Sequence, residues 1–178
     1  IAGATAGYRG LESSDIQVIP DPKTAFINPF GETKTLSLLC EIYDTEGNRL
    51  EEDPRHIAQK AEAYAASFNL GKSLWLPELE YYIFDDVRFV SGVKSCSYTV
   101  DAEEAFWNMD REESPNLGYK IPLGMGGAQS IPPKDKLFTL RAEMVRRIES
   151  VGIPVRYHHH EGGSAGQVEI ELLFDTLT

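Results

Sequence analysis

The sequence predicts an α+β fold in which a short β-rich part precedes a larger part that mixes strands and helices. Before residue 53, apolar residues come in short runs separated by Pro, Gly and Asp, at Ile16–Ile19, Thr24–Ile27 and Thr35–Tyr43. After residue 53, two stretches carry apolar residues at helical spacing and alternate with strand-like runs. We therefore divide the chain near residue 53, into residues 1–52 and residues 53–178.

Two helices are predicted from their capping residues as well as from their periodicity. Asp53 can cap the first helix and Pro54 suits its first position, and this helix is expected to end near Asn69–Gly71. Asp135 is expected to cap the second helix, which ends before Gly152. A further short helix is predicted at Ala102–Trp107.

The remaining segments of the second part are predicted to be strands and loops. Alternating or continuous apolar patterns predict strands at Leu74–Phe84, Val155–His160 and Gln167–Phe174. Residues 111–134 are rich in Pro and Gly and predict a long loop, and residues 1–14 predict a Gly-rich loop.

Charge and composition narrow the range of partners. The chain has 178 residues, with 17 basic and 28 acidic ones, and a formal net charge of −11. This balance argues against nucleic acid and against an anionic membrane, because both attract clustered Lys and Arg. Cys40 and Cys96 are too few for a disulfide framework or a zinc cluster, so we expect a cytoplasmic location.

The most informative strand carries two carboxylates, Glu78 and Glu80, that are two positions apart. Alternate residues of a strand share a face, so both side chains point the same way. Two neighbouring carboxylates repel each other, and a hard divalent cation such as Mg²⁺ or Mn²⁺ would relieve the repulsion. The alternative is an edge strand whose glutamates are simply solvated.

A second pair of carboxylates flanks a glycine-rich turn. Glu161 closes one predicted strand and Glu169 lies early in the next, so the intervening glycines would bring both carboxylates to one end of a sheet. Glu171 shares a face with Glu169. The three consecutive residues His158, His159 and His160 alternate between faces, so at most two could serve one site, and packing of hydrogen-bonded imidazoles is the alternative for each.

These segments together resemble the type I glutamine synthetase family. Pro77 to Asp85 reads P-E-L-E-Y-Y-I-F-D and resembles the P-E-x-E-[FY]-[FY]-x-F-D strand of that family. His159-His160-Glu161 followed by Ala165 to Glu169 is similar to its H-H-E…G-Q-x-E segment, with the same spacing between the glutamates. Ser14 to Phe30 and Asp53-Pro54-Arg55 resemble two earlier motifs, so the resemblance covers essentially the whole chain.

The resemblance implies part of an N-terminal β-grasp domain over residues 1–52 and the first part of a catalytic α/β domain over residues 53–178. It implies that Glu80, Glu161 and Glu169 bind a first Mg²⁺ or Mn²⁺ and that Glu78 helps to bind a second. It also implies that Phe174 lies near the adenine of ATP and that His160 neighbours the nucleotide.

The activity implied by the resemblance is ATP-dependent ligation of ammonia to glutamate in a ring of subunits. Ile1 stands where the family has an Asp that helps to bind ammonium, and the later His and Arg motifs are absent, so we expect a fragment that is inactive alone. Two alternatives remain: a γ-glutamyl ligase for another amine, and a non-catalytic module that binds metal or supports assembly.

Overall fold

The chain is described by a computed structural model, which covers residue 10 and residues 15–69, 71–112 and 119–178. It forms two compact units, Ile1–Trp75 with Phe174–Thr178, and Leu76–Leu173. Apart from Gly10, the loop predicted at residues 1–14 lies outside the described residues, and so do the motif residue Ser14 and the comparison made at Ile1.

The strands of the first unit form two antiparallel pairs. β1 (Gln17–Pro20) pairs with β4 (Cys40–Tyr43), and β2 (Phe26–Ile27) pairs with β3 (Leu36–Ser37). The prediction of one continuous strand over Thr35–Tyr43 is therefore wrong. Leu39 interrupts that strand, because its N–H bonds to the Thr24 hydroxyl at 2.8 Å and its carbonyl accepts from Asp21 N–H at 2.9 Å.

Helix α1 (Pro54–Ser67) begins as its capping signal predicts. The Asp53 carboxylate accepts the Arg55 N–H at 3.1 Å and also an ion pair from Arg49 at 2.9 Å. Arg55 reaches back to Asp21, beside β1, at 2.6 Å. These contacts join α1 to the N-terminal strands, and the helix belongs to the first unit, whose main segment ends at Trp75. A domain boundary near residue 53 stays a prediction.

The second unit is built on a three-stranded antiparallel sheet, in the order β5-β9-β8. Its strands are β5 (Glu78–Tyr82), β8 (Val155–His160) and β9 (Gln167–Leu172). All three predicted strands are confirmed, although β5 starts later than expected because Pro77 has no N–H to donate to the ladder. One face of the sheet is packed: Val168 and Ile170 of the central strand are buried there, and Tyr81 donates to the Met144 sulfur at 2.9 Å.

Helix α2 (Phe138–Ser150) contacts that packed face but is not capped as expected. Leu137 is its N-cap and makes no side-chain hydrogen bond. The prediction that Asp135 caps the helix is wrong: its Oδ1 accepts the Leu137 N–H at 3.1 Å, before the helix begins, and its carboxylate forms a bidentate ion pair with Arg141 of the second turn. Neither side chain of this pair is exposed to solvent.

The sequence patterns missed one element entirely, the antiparallel hairpin of β6 (Asp86–Ser91) and β7 (Cys96–Asp101). The short helix expected at Ala102–Trp107 is one turn of 3₁₀ helix at Phe106–Asn108. The described part of the loop predicted at 111–134 contains a 3₁₀ turn at Met125–Gly127, while residues 113–118 lie outside the description.

The second unit has a small apolar core, to which Ile121 of this loop region contributes. Its buried members are Ala102, Ala105, Ile121 and Ala165, with Phe84 packed against them. Among the residues that the structure describes, no helix is both long enough and apolar enough to cross a bilayer.

Candidate metal centre

The open face of the β5-β9-β8 sheet carries two rows of polar side chains. Residues directly opposite each other on neighbouring strands share a face, and the register sets Glu78 opposite Glu171 and Glu80 opposite Glu169. On the other side of β9, Tyr157 lies opposite Glu171 and His159 lies opposite Glu169. Glu78 and Glu80 of β5 therefore lie on the same face of one sheet as Glu169 and Glu171 of β9.

The innermost cluster on this face is formed by His159, Glu161 and Glu169. One potential ligand atom from each residue lies within 4.8 Å of the others. His159 Nε2 is 3.5 Å from Glu169 Oε2, and His159 Nδ1 is 3.6 Å from Glu161 Oε2. The prediction that the glycine-rich turn brings Glu161 and Glu169 together is confirmed.

The pKa values of the two carboxylates of this cluster are shifted in opposite directions. Burial, the hydrogen bond to Glu161 and the neighbouring charges of Glu161 and Glu78 together raise the pKa of Glu169 to about 7, against a lowering by His159. The hydrogen bond from Glu169 lowers the pKa of Glu161. The cluster thus behaves as two carboxylates that cannot both ionise easily without a cation between them.

A second cluster, Glu78, Glu169 and Glu171, adjoins the first through Glu169. Glu171 is 3 % exposed and is the most strongly partnered carboxylate of the face. The Tyr157 hydroxyl and the Arg156 guanidinium both hydrogen bond to Glu171 and lower its pKa. Arg156 reaches this carboxylate from a bulge, where the register of β8 against β9 shifts between Val155 and Tyr157.

Glu80 lies opposite Glu169 in the register but belongs to neither cluster among the described residues. Its Oε2 accepts the Gln167 side-chain N–H at 3.1 Å. Glu78 and Glu80 are both exposed, as the solvated-strand alternative predicts, whereas Glu169 and Glu171 are buried. A solvated edge strand therefore explains the exposure of Glu78 and Glu80. It does not explain why Glu169 and Glu171 of β9 are buried.

The turn between β8 and β9 is held in a narrow conformation. Glu161 accepts the Gly162 N–H at 2.6 Å, and Gly166 has a φ of +85°, which favours glycine. A Cβ at Gly166 would lie 2.4 Å from the Ile83 carbonyl oxygen. Glycine is therefore required at this position both by conformation and by space.

The structure does not bring His160 to the carboxylate face. His160 is fully buried on the opposite face, with Nε2 2.7 Å from Glu104 Oε1 and Nδ1 2.7 Å from the Glu161 carbonyl oxygen. Burial alone would lower the pKa of His160, but the hydrogen bond and charge of Glu104 raise it overall. Phe174 is exposed and belongs to the other unit, and the nucleotide roles of both residues stay predictions.

The donor set fits a hard divalent cation. Four carboxylates and one imidazole supply mainly oxygen ligands, which suit Mg²⁺ and Mn²⁺ better than softer metals. The raised pKa of Glu169 agrees with that fit, because a bound cation would favour the ionised carboxylate.

Comparison with protein families extends this picture to the whole chain. The family model for the glutamine synthetase catalytic domain matches residues 51–178, which is more than half of the chain. The chain belongs to the glutamine synthetase family. The model for the beta-Grasp domain of the same family matches residues 2–45, so the expected fold, a β-grasp part followed by the start of the catalytic domain, is confirmed.

Curated relatives match almost the whole chain, but the chain covers only part of them. A glutamine synthetase of Aquifex aeolicus is 44% identical over 173 residues, which is 96% of this chain and 36% of the relative. A glutamine synthetase of Frankia alni is also 44% identical, over 96% of this chain and 36% of its own length. A 3-hydroxylaminophenol mutase of Cupriavidus pinatubonensis is 42% identical, over 97% and 37%.

Two solved structures have the same fold. A glutamine synthetase of Plasmodium falciparum superposes with a TM-score of 0.77 at 22% identity, over 94% of this chain and 33% of that chain. GmaS without ligand superposes with a TM-score of 0.62 at 18% identity, over 99% of this chain and 35% of that chain. The chain thus spans about a third of the length of these two solved chains.

Sequence reasoning missed two members of the carboxylate face as site residues, His159 and Glu171. The alternation of the histidine run already separates His159 from its neighbours, and the pairing of β8 with β9 sets it opposite Glu169. Glu171 was expected on the same face as Glu169, but its ion pair with Arg156, which lies beside a bulge, does not follow from the alternation of the sequence.

Proposed function

We propose that the carboxylate face binds Mg²⁺ or Mn²⁺, and that the protein carrying this chain uses ATP to ligate ammonia to L-glutamate through a γ-glutamyl phosphate. The observation that carries this proposal is the cluster of His159, Glu161 and Glu169, whose potential ligand atoms lie within 4.8 Å of one another in a chain of the glutamine synthetase family. Metal ligands must be deprotonated, so a bound divalent cation would favour the ionised form of both carboxylates.

The residues divide into two groups around the metals. Glu161, Glu169 and Glu80 would hold a first ion near the glutamate, and Glu78 would contribute to a second ion near the ATP phosphates. Glu80 would reach the first ion by breaking its hydrogen bond with Gln167. This hydrogen bond is exposed to solvent and therefore weak. His159 spans Glu161 and Glu169 and would orient both carboxylates.

Bound divalent ions neutralise the transferring phosphoryl group and hold it in line with the attacking oxygen. The chain's own contribution is a rigid face that holds negative oxygens together. Glu169 would release its proton when the ion binds, and Arg156 with Tyr157 keeps the adjacent Glu171 ionised. Phe174 near the adenine and His160 near the nucleotide remain the predicted nucleotide contacts.

The same proposal implies that this chain alone is inactive. The His and Arg motifs that complete the family's site are not in these residues, and the chain spans only 36% of the Aquifex aeolicus relative. We further propose that the complete protein is cytoplasmic, assembles into a ring and needs glutamate, ammonia and ATP as substrates.

A chimaera tests the activity directly. This chain replaces the matching third of the Aquifex aeolicus relative, and phosphate release from ATP is measured with glutamate and ammonia, and separately with glutamate and polyamines. We expect ammonia-dependent release that is lost in Glu169→Gln and kept in Glu149→Gln, an exposed glutamate outside both clusters.

The outcomes separate the candidate functions. Release with a polyamine but not with ammonia would favour a γ-glutamyl ligase for another amine. A folded chimaera that is inactive with every amine would contradict the proposed ligase activity of this chain's metal face. Turnover by the unfused chain would contradict its proposed inactivity.

A further inference from the structure

A buried carboxylate lies beneath the metal face. Glu104 is 2 % exposed, and its Oε1 accepts hydrogen bonds from His160 Nε2 and from Gly166 N–H, both at 2.7 Å. Its Oε2 accepts the Lys136 N–H at 3.2 Å. The three partners are 56, 62 and 32 residues away in sequence, so Glu104 joins segments that no local structure connects.

The His160 ring connects Glu104 to the backbone of Glu161, which directly follows β8. Its Nδ1 donates to the Glu161 carbonyl oxygen at 2.7 Å, because a carbonyl can only accept. Gly127 leaves room for the ring, since a Cβ there would lie 2.6 Å from it. The His160 carbonyl in turn accepts the Gln129 N–H at 2.8 Å, so hydrogen bonds hold both the ring and the backbone of His160.

Glu104 therefore holds both ends of the turn that separates the two metal carboxylates. One end is the Glu161 backbone, held through His160, and the other is the Gly166 amide, held directly. Glu169 follows Gly166 by three residues on β9, and Glu161 N–H donates to the Gln167 carbonyl at 3.0 Å. A shift of either end would change the distance between the Glu161 and Glu169 carboxylates.

Burying a carboxylate costs free energy unless its oxygens are fully bonded, and here three donors meet that requirement. An apolar residue would fill the same space without holding the turn. We infer that Glu104 is a positioning residue that, through His160 and Gly166, sets the separation of Glu161 and Glu169 and so their affinity for a divalent cation. This inference rests on the proposed metal binding at the face.

The test replaces Glu104 by glutamine, which keeps the shape but removes the charge. In E104Q, the new NH₂ group must face either the Lys136 N–H or the donors from His160 and Gly166, so at least one donor loses its acceptor. The control is E103Q, because the Glu103 side chain is 47% exposed and its ion pair is with Lys136 at 3.4 Å. The measurements are Mn²⁺ affinity by calorimetry and hydrogen exchange of the Gly166 amide without metal.

We expect E104Q to weaken Mn²⁺ binding by about tenfold to a hundredfold, as is usual when a group that orients a metal ligand is removed. Exchange of the Gly166 amide should quicken in E104Q, while E103Q should match the wild type in both measurements. Unchanged Mn²⁺ affinity in a folded E104Q, or rapid exchange of this amide in the wild type, would overturn the inference.

A second variant covers the case in which E104Q fails to fold. Gly127→Ala keeps the Glu104 charge and displaces the His160 ring, so it should also weaken Mn²⁺ binding, and a folded variant with wild-type affinity would overturn the inference. A wild type that protects the Gly166 amide but binds no Mn²⁺ would instead overturn the proposed metal site, and the two failures are thereby distinguished.

Discussion

His159 spans the two carboxylates of the candidate metal centre, with Nε2 3.5 Å from Glu169 and Nδ1 3.6 Å from Glu161. The same Nδ1 lies 3.0 Å from the His160 carbonyl oxygen, to which it donates. The imidazole is therefore fixed over the gap between the carboxylates, and it either orients them or joins them as a ligand.

Replacing this imidazole should weaken metal binding without unfolding the chain. In His159→Asn we expect the dissociation constant for Mn²⁺ to rise by about tenfold, because an orienting or ligating group is lost. Calorimetric titration measures this change, and His56→Asn in the first unit is the control. Equal affinities for His159→Asn and the wild type would exclude the imidazole from the site.

Metal binding should depend on pH through Glu169. Its pKa is raised from 4.5 to about 7, so below pH 7 a bound ion must displace a proton. We expect the apparent affinity for Mn²⁺ to fall by up to about tenfold per pH unit below 7. Titrations in two buffers of different ionisation enthalpy would detect the released proton, and binding without proton release below pH 7 would contradict the raised pKa of Glu169.

The raised pKa of Glu169 affects the stability of the metal-free chain in the opposite direction: stability should fall as the pH rises. The fold favours the protonated form of Glu169, so this group stabilises the fold fully below pH 4.5 and loses that contribution as the pH rises through about 7. The free energy of unfolding without metal should therefore fall between pH 5 and 8 in the wild type and change less in Glu169→Gln. A steeper fall in the variant would contradict the assignment.

The buried ion pair of Asp135 and Arg141 should matter for stability. Both side chains are fully buried, and Arg141→Met would leave the Asp135 charge without its partner. We expect a loss of about 3–5 kcal/mol in the free energy of unfolding, measured with urea. The control Arg146→Met removes a guanidinium that is 73% exposed and should cost less than about 1 kcal/mol.

Gly166 should tolerate no Cβ, and a second glycine offers a matched comparison. Gly166 and Gly152 both have a positive φ, +85° and +89°, but only Gly166 has backbone within reach of a Cβ, the Ile83 carbonyl at 2.4 Å. Gly166→Ala should therefore destabilise the chain more than Gly152→Ala, whose cost is backbone strain alone, about 1 kcal/mol or more. Equal losses in thermal unfolding would show that the turn can relax.

Much of the site could be predicted because its residues follow local rules. Glu161 and Glu169 are separated by a glycine-rich turn between two strongly patterned strands, so their meeting follows from the sequence alone. The start of α1 at Pro54 follows from the capping signal of Asp53. These features depend on residues that are close in sequence.

What escaped prediction depends on contacts between distant residues. Glu104 meets His160 across 56 residues, and no spacing in the sequence marks that pair. Asp135 looked like a cap but is bound by Arg141, an ion pair that local capping rules do not consider. The β6–β7 hairpin is an exception, because its apolar residues do alternate: Val87 lies opposite Val100 and Phe89 lies opposite Tyr98. That period-two pattern is the signal by which the sequence could have predicted the hairpin.

The most direct test of the metal face is calorimetric titration of Mn²⁺ into the wild-type chain, Glu169→Gln and Glu149→Gln. We expect saturable binding in the wild type and in Glu149→Gln, and its loss in Glu169→Gln, because Glu169 belongs to both carboxylate clusters. Absence of binding in the wild type, or equal binding in all three proteins, would contradict a divalent-cation site at this face.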